Sequence, residues 1–175
     1  MRLDKLLANS GVGSRREVKA LIRDGIVQVN GATITEAKYS VDPSFDVIEV
    51  EGERIEYKEY YYVMLNKPAG VITATHDRFY KTVIDILDDK YRKLGLFPVG
   101  RLDKDTEGLL ILTTDGKLAH KLLSPKNLVP KTYFAIIDGV VDSSDIELFE
   151  KGISLSEDFT TLPAQLEMIT ANKVY

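Results

Sequence analysis

The sequence predicts an α+β protein in two parts: a small helical unit with a curled sheet, then a larger domain built on a mixed, mostly antiparallel sheet. Three observations predict it. The first 25 residues carry two apolar stripes at helical spacing. Short apolar runs bounded by turn residues recur along the rest of the chain. These strands and helices mix without the regular strand–helix alternation of a parallel fold. A polar stretch, Glu51–Glu59, broken only by Ile55 and Tyr57, reads as a linker and places the domains at 1–58 and 59–175.

Leu3, Leu6 and Leu7 fall at i, i+3 and i+4, so residues 2–9 read as a short amphipathic helix. Gly11 and Gly13 break it. Ser14-Arg15-Arg16-Glu17 is a capping-box pattern, and Val18, Leu21 and Ile22 continue the stripe until Gly25. Ile26–Val29 is a strand, Asn30-Gly31 a two-residue hairpin signal, and Ala32–Ile34 the returning strand. Val47–Val50 closes the first unit. Tyr60–Leu65 opens the second as a buried strand, followed by a turn at Asn66–Gly70. Val83, Ile84, Ile86 and Leu87 suggest a helix. Leu109–Leu112, a continuous apolar run between turns, is expected to be a central strand. Thr114-Asp115-Gly116 leads into a helix carrying Leu118, Leu122 and Leu123 and stopped by Ser124-Pro125. Tyr133–Ile137 is a further strand, in which one of Tyr133 and Phe134 is expected to be buried. Ser144–Glu147 reads as a second capping box for a helix ending at Gly152, and Ala164, Leu166 and Met168 alternate as a last strand.

Composition narrows the function. No apolar run approaches the ~20 residues that span a bilayer, and the N-terminus lacks the apolar core of a secretory signal. The expectation is a cytoplasmic protein with no membrane partner. There are no cysteines, which excludes disulfides, thiolate metal sites and a cysteine nucleophile. His76 and His120 lack neighbours at ligand spacing. The net charge of −4 weighs against nucleic acid when taken alone, but residues 1–25 hold six cations against three anions. A basic face on an acidic body suits docking of one edge on a polyanion.

Those cations are Arg2, Lys5, Arg15, Arg16, Lys19 and Arg23. Arg15, Lys19 and Arg23 are spaced by four, so each advances only about 40° around a helix. Such a row can follow a phosphate backbone; it can equally be a solvated face. Arg2–Leu7, Ser14–Val18 and Gly25–Gly31 together resemble the RNA-binding domain named after ribosomal protein S-four, over roughly residues 1–50. That resemblance implies an RNA-contacting surface on the second helix and the loop before it.

The segment Gly100-Arg101-Leu102-Asp103-Lys104-Asp105-Thr106-Glu107-Gly108, running into Leu109–Thr113, packs charge against the mouth of a core strand. Period-two alternation puts Arg101 and Asp103 on one side of an extended chain. Asp103 is therefore a candidate nucleophile or base. Two other readings are open at this point: a structural Arg101–Asp103 pair, and Asp-x-Asp metal binding by Asp103 and Asp105. The segment closely resembles the signature of the pseudouridine synthases. Met64–Gly70 is similar to that family's first motif and Lys131-Thr132-Tyr133 to its uracil-stacking segment. The order of motifs resembles the RsuA branch.

The resemblance implies that Asp103 is the catalytic residue, that Arg101 helps flip the target nucleotide out of its helix, and that Tyr133 stacks on the uracil. It implies a reaction without metal or other cofactor. It implies ribosomal RNA as partner, 16S favoured and 23S possible, bare or within a ribosomal particle, and a monomeric enzyme. The family's third motif, whose basic residue pairs with the aspartate, has no match after Ala164–Ile169, and Lys173 stands too near the end. The sequence thus reads as a fragment truncated at its C-terminus, with little or no activity expected of it alone. The competing function is a non-catalytic, ribosome-associated RNA-binding protein.

Overall fold

Leu3, Leu6 and Leu7 form the base of the first core. All three are fully buried in the computed structural model, which describes every residue from Met1 to Tyr175. Helix α1 is Leu3–Asn9 and helix α2 is Arg15–Arg23. The capping box forms as the pattern predicts. Glu17 N–H donates to Ser14 Oγ at 3.3 Å, and Ser14 N–H donates to Glu17 Oε2 at 2.7 Å, which satisfies two donors that a helix start leaves open. Strands β1 (Val27–Val29), β2 (Ala32–Thr33), β3 (Ile48–Val50) and β4 (Glu53–Arg54) form an antiparallel sheet in the order β2-β1-β3-β4. Val27, Val29, Ile48 and Val50 share one core with the helix leucines and with Val18 and Ile22. Asn30 also ties its hairpin to the approach to β3: its Oδ1 accepts from Val47 N–H at 2.9 Å, and its Nδ2 donates to Asp46 at 2.8 Å.

The expected linker is in part structured. Glu51 and Gly52, both at positive φ (54° and 82°), make a two-residue turn that returns the chain as β4. Ile55 and Tyr57 then pack on the first core. The polarity of Glu53 and Arg54 hid a strand because both side chains are exposed at the sheet edge.

The second sheet consists of β5 (Tyr62–Lys67), β6 (Phe97–Pro98) and β7 (Gly108–Thr113), antiparallel in the order β5-β7-β6. β7 is central, as its apolar run predicts, with Leu110 and Leu112 buried. β5 is not buried throughout: Tyr62 and Met64 face outward and only the alternate residues turn in. Nor is there a helix at Val83–Leu87. Asp85 Oδ2 accepts from Thr82 N–H and Thr82 Oγ1, both at 2.8 Å, and the N–H groups of Asp85 and Leu87 reach only three residues back. That local capping closes tight turns, and the short helix α3 forms later, at Asp89–Arg92. Val83 and Leu87 are nevertheless core residues. Helix α4 (Gly116–Leu123) starts on Asp115, which accepts from Lys117 and Leu118 N–H at 3.0 Å each.

All of these elements lie in one compact unit, Met1–Asn127; a second comprises Leu128–Tyr175. The second unit holds β8 (Ala135–Ile136), α5 (Ser143–Lys151), β9 (Ser154–Ser156), β10 (Phe159–Thr160), β11 (Met168–Thr170) and β12 (Lys173–Val174). β11, β12 and β8 form a sheet in that order, and β9 pairs with β10. The strand expected over Tyr133–Ile137 shrinks to two residues. The expected strand at Ala164–Met168 begins only at Met168. The cap of α5 is Asp142 with Asp145 rather than Ser144 with Glu147, because the Asp142 carboxylate takes the Ser144 N–H at 2.7 Å. Tyr133 and Phe134 are both half-exposed, although burial of one was expected. Val174 is the single buried residue of this unit. No helix of the chain is long and apolar enough to cross a membrane.

One ion pair anchors the N-terminus. Arg2 donates through Nε and a terminal nitrogen to the buried Asp4 carboxylate, at 3.0 and 2.6 Å. These hydrogen bonds hold the Asp4 carboxyl below the ordinary carboxylate range, outweighing the opposing effect of burial. Because the folded value is depressed, the stabilisation is complete above the ordinary range and disappears as pH falls through the folded value. Arg2→Ala should therefore destabilise the protein at pH 7, by less than the loss of a partner from a fully buried pair because the Arg2 side chain is 47% exposed. The cost should shrink as pH falls through the depressed Asp4 value; urea melts of both proteins at pH 7 and across the acid range check this.

Candidate active site

The segment carrying Arg101 and Asp103 connects β6 to β7. It enters through Gly100 (φ 95°) and leaves through Gly108 (φ 126°). At Gly100 the backbone angle selects glycine, and a Cβ would also press on Leu123 Cδ2 at 3.3 Å.

The segment is held from below by a lysine. Along β5, Val63, Leu65 and Lys67 share the inward parity, so Lys67 is carried into the interior and is fully buried. Its ammonium donates to Pro68 O at 3.1 Å, Lys104 O at 3.0 Å and Thr106 O at 2.8 Å. Three donors meet three carbonyls, which is the condition for burying an ammonium at tolerable cost. Lys104 O also accepts the Gly70 N–H at 2.9 Å. Thr73, buried as well, donates from Oγ1 to Leu102 O at 2.6 Å and accepts Leu102 N–H at 3.1 Å. Thr106 N–H closes on Asp103 O at 3.2 Å.

The backbone on both sides of Asp103 is thus pinned, while its carboxylate is exposed and makes no hydrogen bond or ion pair. Arg101 is equally exposed and unpaired. The structural Arg101–Asp103 pair is therefore not formed. No group of three His, Asp or Glu side chains converges that could hold a cation, so Asp103 and Asp105 have no third acidic or imidazole neighbour. The arrangement is a fixed backbone with an exposed carboxylate that is open to a ligand.

On the N-terminal face, Arg2, Lys5, Arg15, Arg16, Lys19 and Arg23 are all exposed. They are not equivalent. Arg2 is engaged by Asp4, and Arg23 lies 3.2 Å from Asp24 in a surface pair. The side chains of Lys5, Arg15 and Arg16 have no partner in the chain, and Lys19 acts only through space on Asp4. Tyr133 belongs to the other compact unit, where Phe134 beside it packs its ring on Tyr175 at 5.6 Å between centroids. The residues that sequence reasoning missed are Lys67, taken as turn chemistry, and Thr73. For Lys67 the signal was present: counting inward parity from Val63 and Leu65 lands on it. Thr73 carries no local signal, because its partner Leu102 is 29 residues away.

Residues 61–172 match the family model of RNA pseudouridylate synthase, and residues 1–48 match that of the S4 domain. The chain belongs to the RNA pseudouridylate synthase family. It is 48% identical over 170 residues to YtzG, an uncharacterized RNA pseudouridine synthase of Bacillus subtilis (strain 168), covering 97% of this chain and 71% of that protein. It is 42% identical over 173 residues to ribosomal large subunit pseudouridine synthase B of the same bacterium, covering 98% and 69%. A crystal structure of a pseudouridylate synthase superposes with a TM-score of 0.59 at 33% identity, over 99% of this chain and 75% of that one. The α+β fold and the family expected from the motifs are those found.

The clamp makes a firm prediction. Lys67→Met fills similar space but leaves Pro68 O and Thr106 O without a donor, while Lys104 O keeps only the Gly70 N–H, and should destabilise the protein by about 3 kcal/mol. Lys67→Arg should not restore stability, because a planar guanidinium cannot aim at three convergent carbonyls. Urea midpoints decide it, and a Met variant as stable as wild type would contradict the clamp.

Proposed function

We propose that this chain, contrary to the inactivity expected from the missing third motif, isomerises one uridine of ribosomal RNA to pseudouridine, with Asp103 as the catalytic residue. The observation that carries the reading is the exposed, unpartnered Asp103 carboxylate on a backbone held by Lys67 and Thr73. The reaction breaks the N1–C1′ bond and joins C1′ to C5 of the same base. The proton leaving C5 is balanced by one gained at N1, so no oxidant or reductant enters. A carboxylate free of internal partners can act on the sugar or the ring, and a fixed loop keeps it in place while the base is brought to it. Arg101, unpaired two residues away, would occupy the space left by the flipped nucleotide. Tyr133 would supply the stacking surface for the uracil. Lys5, Arg15, Arg16 and Lys19 would take phosphates on the first domain.

The sequence alone leaned toward 16S RNA. The 42% identity to a protein named for the large ribosomal subunit supports 23S RNA instead, and that is the target proposed. Wild-type and Asp103→Asn proteins incubated with unmodified 16S and 23S transcripts test the proposal, read by carbodiimide-dependent reverse-transcription stops. The expected result is a single new stop on 23S RNA that disappears with Asp103→Asn. A stop that survives the substitution would remove Asp103 from the chemistry, and no stop on either RNA would overturn the enzymatic reading.

A further inference from the structure

The loop between Ile72 and Val83 neighbours the Asp103 segment and contains groups the chemistry above does not use. Its base is closed: Ile72 N–H donates to Lys81 O and Val83 N–H to Ile72 O, both at 3.0 Å. Its tip is ordered by Asp77, whose Oδ1 accepts from Phe79 N–H at 2.8 Å and Tyr80 N–H at 2.9 Å. The loop is fastened to the Asp103 segment at two levels. Near the base, Thr73 bonds both backbone groups of Leu102. Near the tip, Lys104 Nζ lies 4.6 Å from the centroid of the Tyr80 ring.

All this order displays one side chain. Phe79 is 88% exposed at the tip, flanked by Arg78 and Lys81, whose side chains are exposed and have no partner in the chain. A phenylalanine held in water by a capped turn contributes almost nothing to folding. A lone ring among cations is also poorly suited to a protein partner, which favours contiguous apolar area. It suits single-stranded RNA, where a ring stacks on a base and cations take the adjoining phosphates.

We infer that Phe79 is a stacking platform for an unpaired RNA base next to the nucleotide that Asp103 addresses, with Arg78 and Lys81 on its flanking phosphates. The inference rests on the reading of Asp103 as the catalytic group, but its binding test does not. Unmodified 23S transcript is titrated with wild-type, Phe79→Ala and Phe79→Trp proteins by filter binding, and the stop assay is run at several RNA concentrations. Phe79→Ala should bind about tenfold more weakly, one stacked base being lost. KM should rise by a similar factor with kcat little changed, Phe79→Trp should recover both, and all urea midpoints should match. Undiminished binding by Phe79→Ala, equal impairment of the Ala and Trp variants, or no binding of the transcript by wild type would each overturn the inference. If wild type binds the transcript and makes no pseudouridine, the catalytic reading fails and the binding ratios still decide Phe79.

Discussion

Burying an ammonium group costs several kcal/mol unless its donors are all taken, and Lys67 meets that condition only because the chain brings three carbonyls to it. Two of them, on Lys104 and Thr106, belong to the segment that carries Asp103. The dependence runs both ways. Lys67 is tolerable inside the protein only if that segment adopts its observed course, and besides Lys67 only the Gly70 N–H, on Lys104 O, reaches the segment's carbonyls at those positions. Sheet geometry supplies the rest: β5 and β7 pair from Tyr62–Thr113 to Lys67–Gly108, so the strand that delivers Lys67 ends beside the strand that follows Asp103.

The chain separates groups that hold the fold from groups left for a ligand. Lys67, Thr73, Asp4 and Asn30 have their polar atoms satisfied internally. Asp103, Arg101, Arg15, Arg16, Arg78 and Phe79 point outward without partners. For a polyanionic substrate this division has a physical use: cations not neutralised within the protein remain available to phosphate, and an unpaired carboxylate is not drawn away from a substrate atom. It also reconciles the net charge of −4 with RNA binding, since the cations that matter are those without internal carboxylate partners.

How much was legible in the sequence follows the range of each interaction. Helices α1 and α2, the Asn30-Gly31 hairpin and central strand β7 are written in patterns of a few residues, and each appears where it was read. The segment around Asp103 stood out instead through its resemblance to the family signature, its residues alone leaving an ion pair and a metal site open. The turn at Glu51-Gly52 was missed because polarity dominated the reading over turn chemistry. The turns over Val83–Leu87 were missed because apolar spacing cannot see Asp85 capping Thr82. Tyr133 and Phe134 were misjudged because alternation assumes a regular strand, whereas β8 holds only Ala135–Ile136 and both rings precede it. Lys67 was the instructive miss: the alternation that locates it was in hand, but the Asn66–Gly70 turn pattern took it out of the strand.

Amide hydrogen exchange on wild-type and Lys67→Met proteins tests the central claim most directly. The account predicts that the N–H groups of Gly70, Leu102 and Thr106, which bond within or onto the Asp103 segment, lose at least tenfold in protection, and lose more than the β7 amides of Leu110 and Leu112. Equal losses at all five, or unchanged protection at the first three, would mean that the segment is held by something other than Lys67.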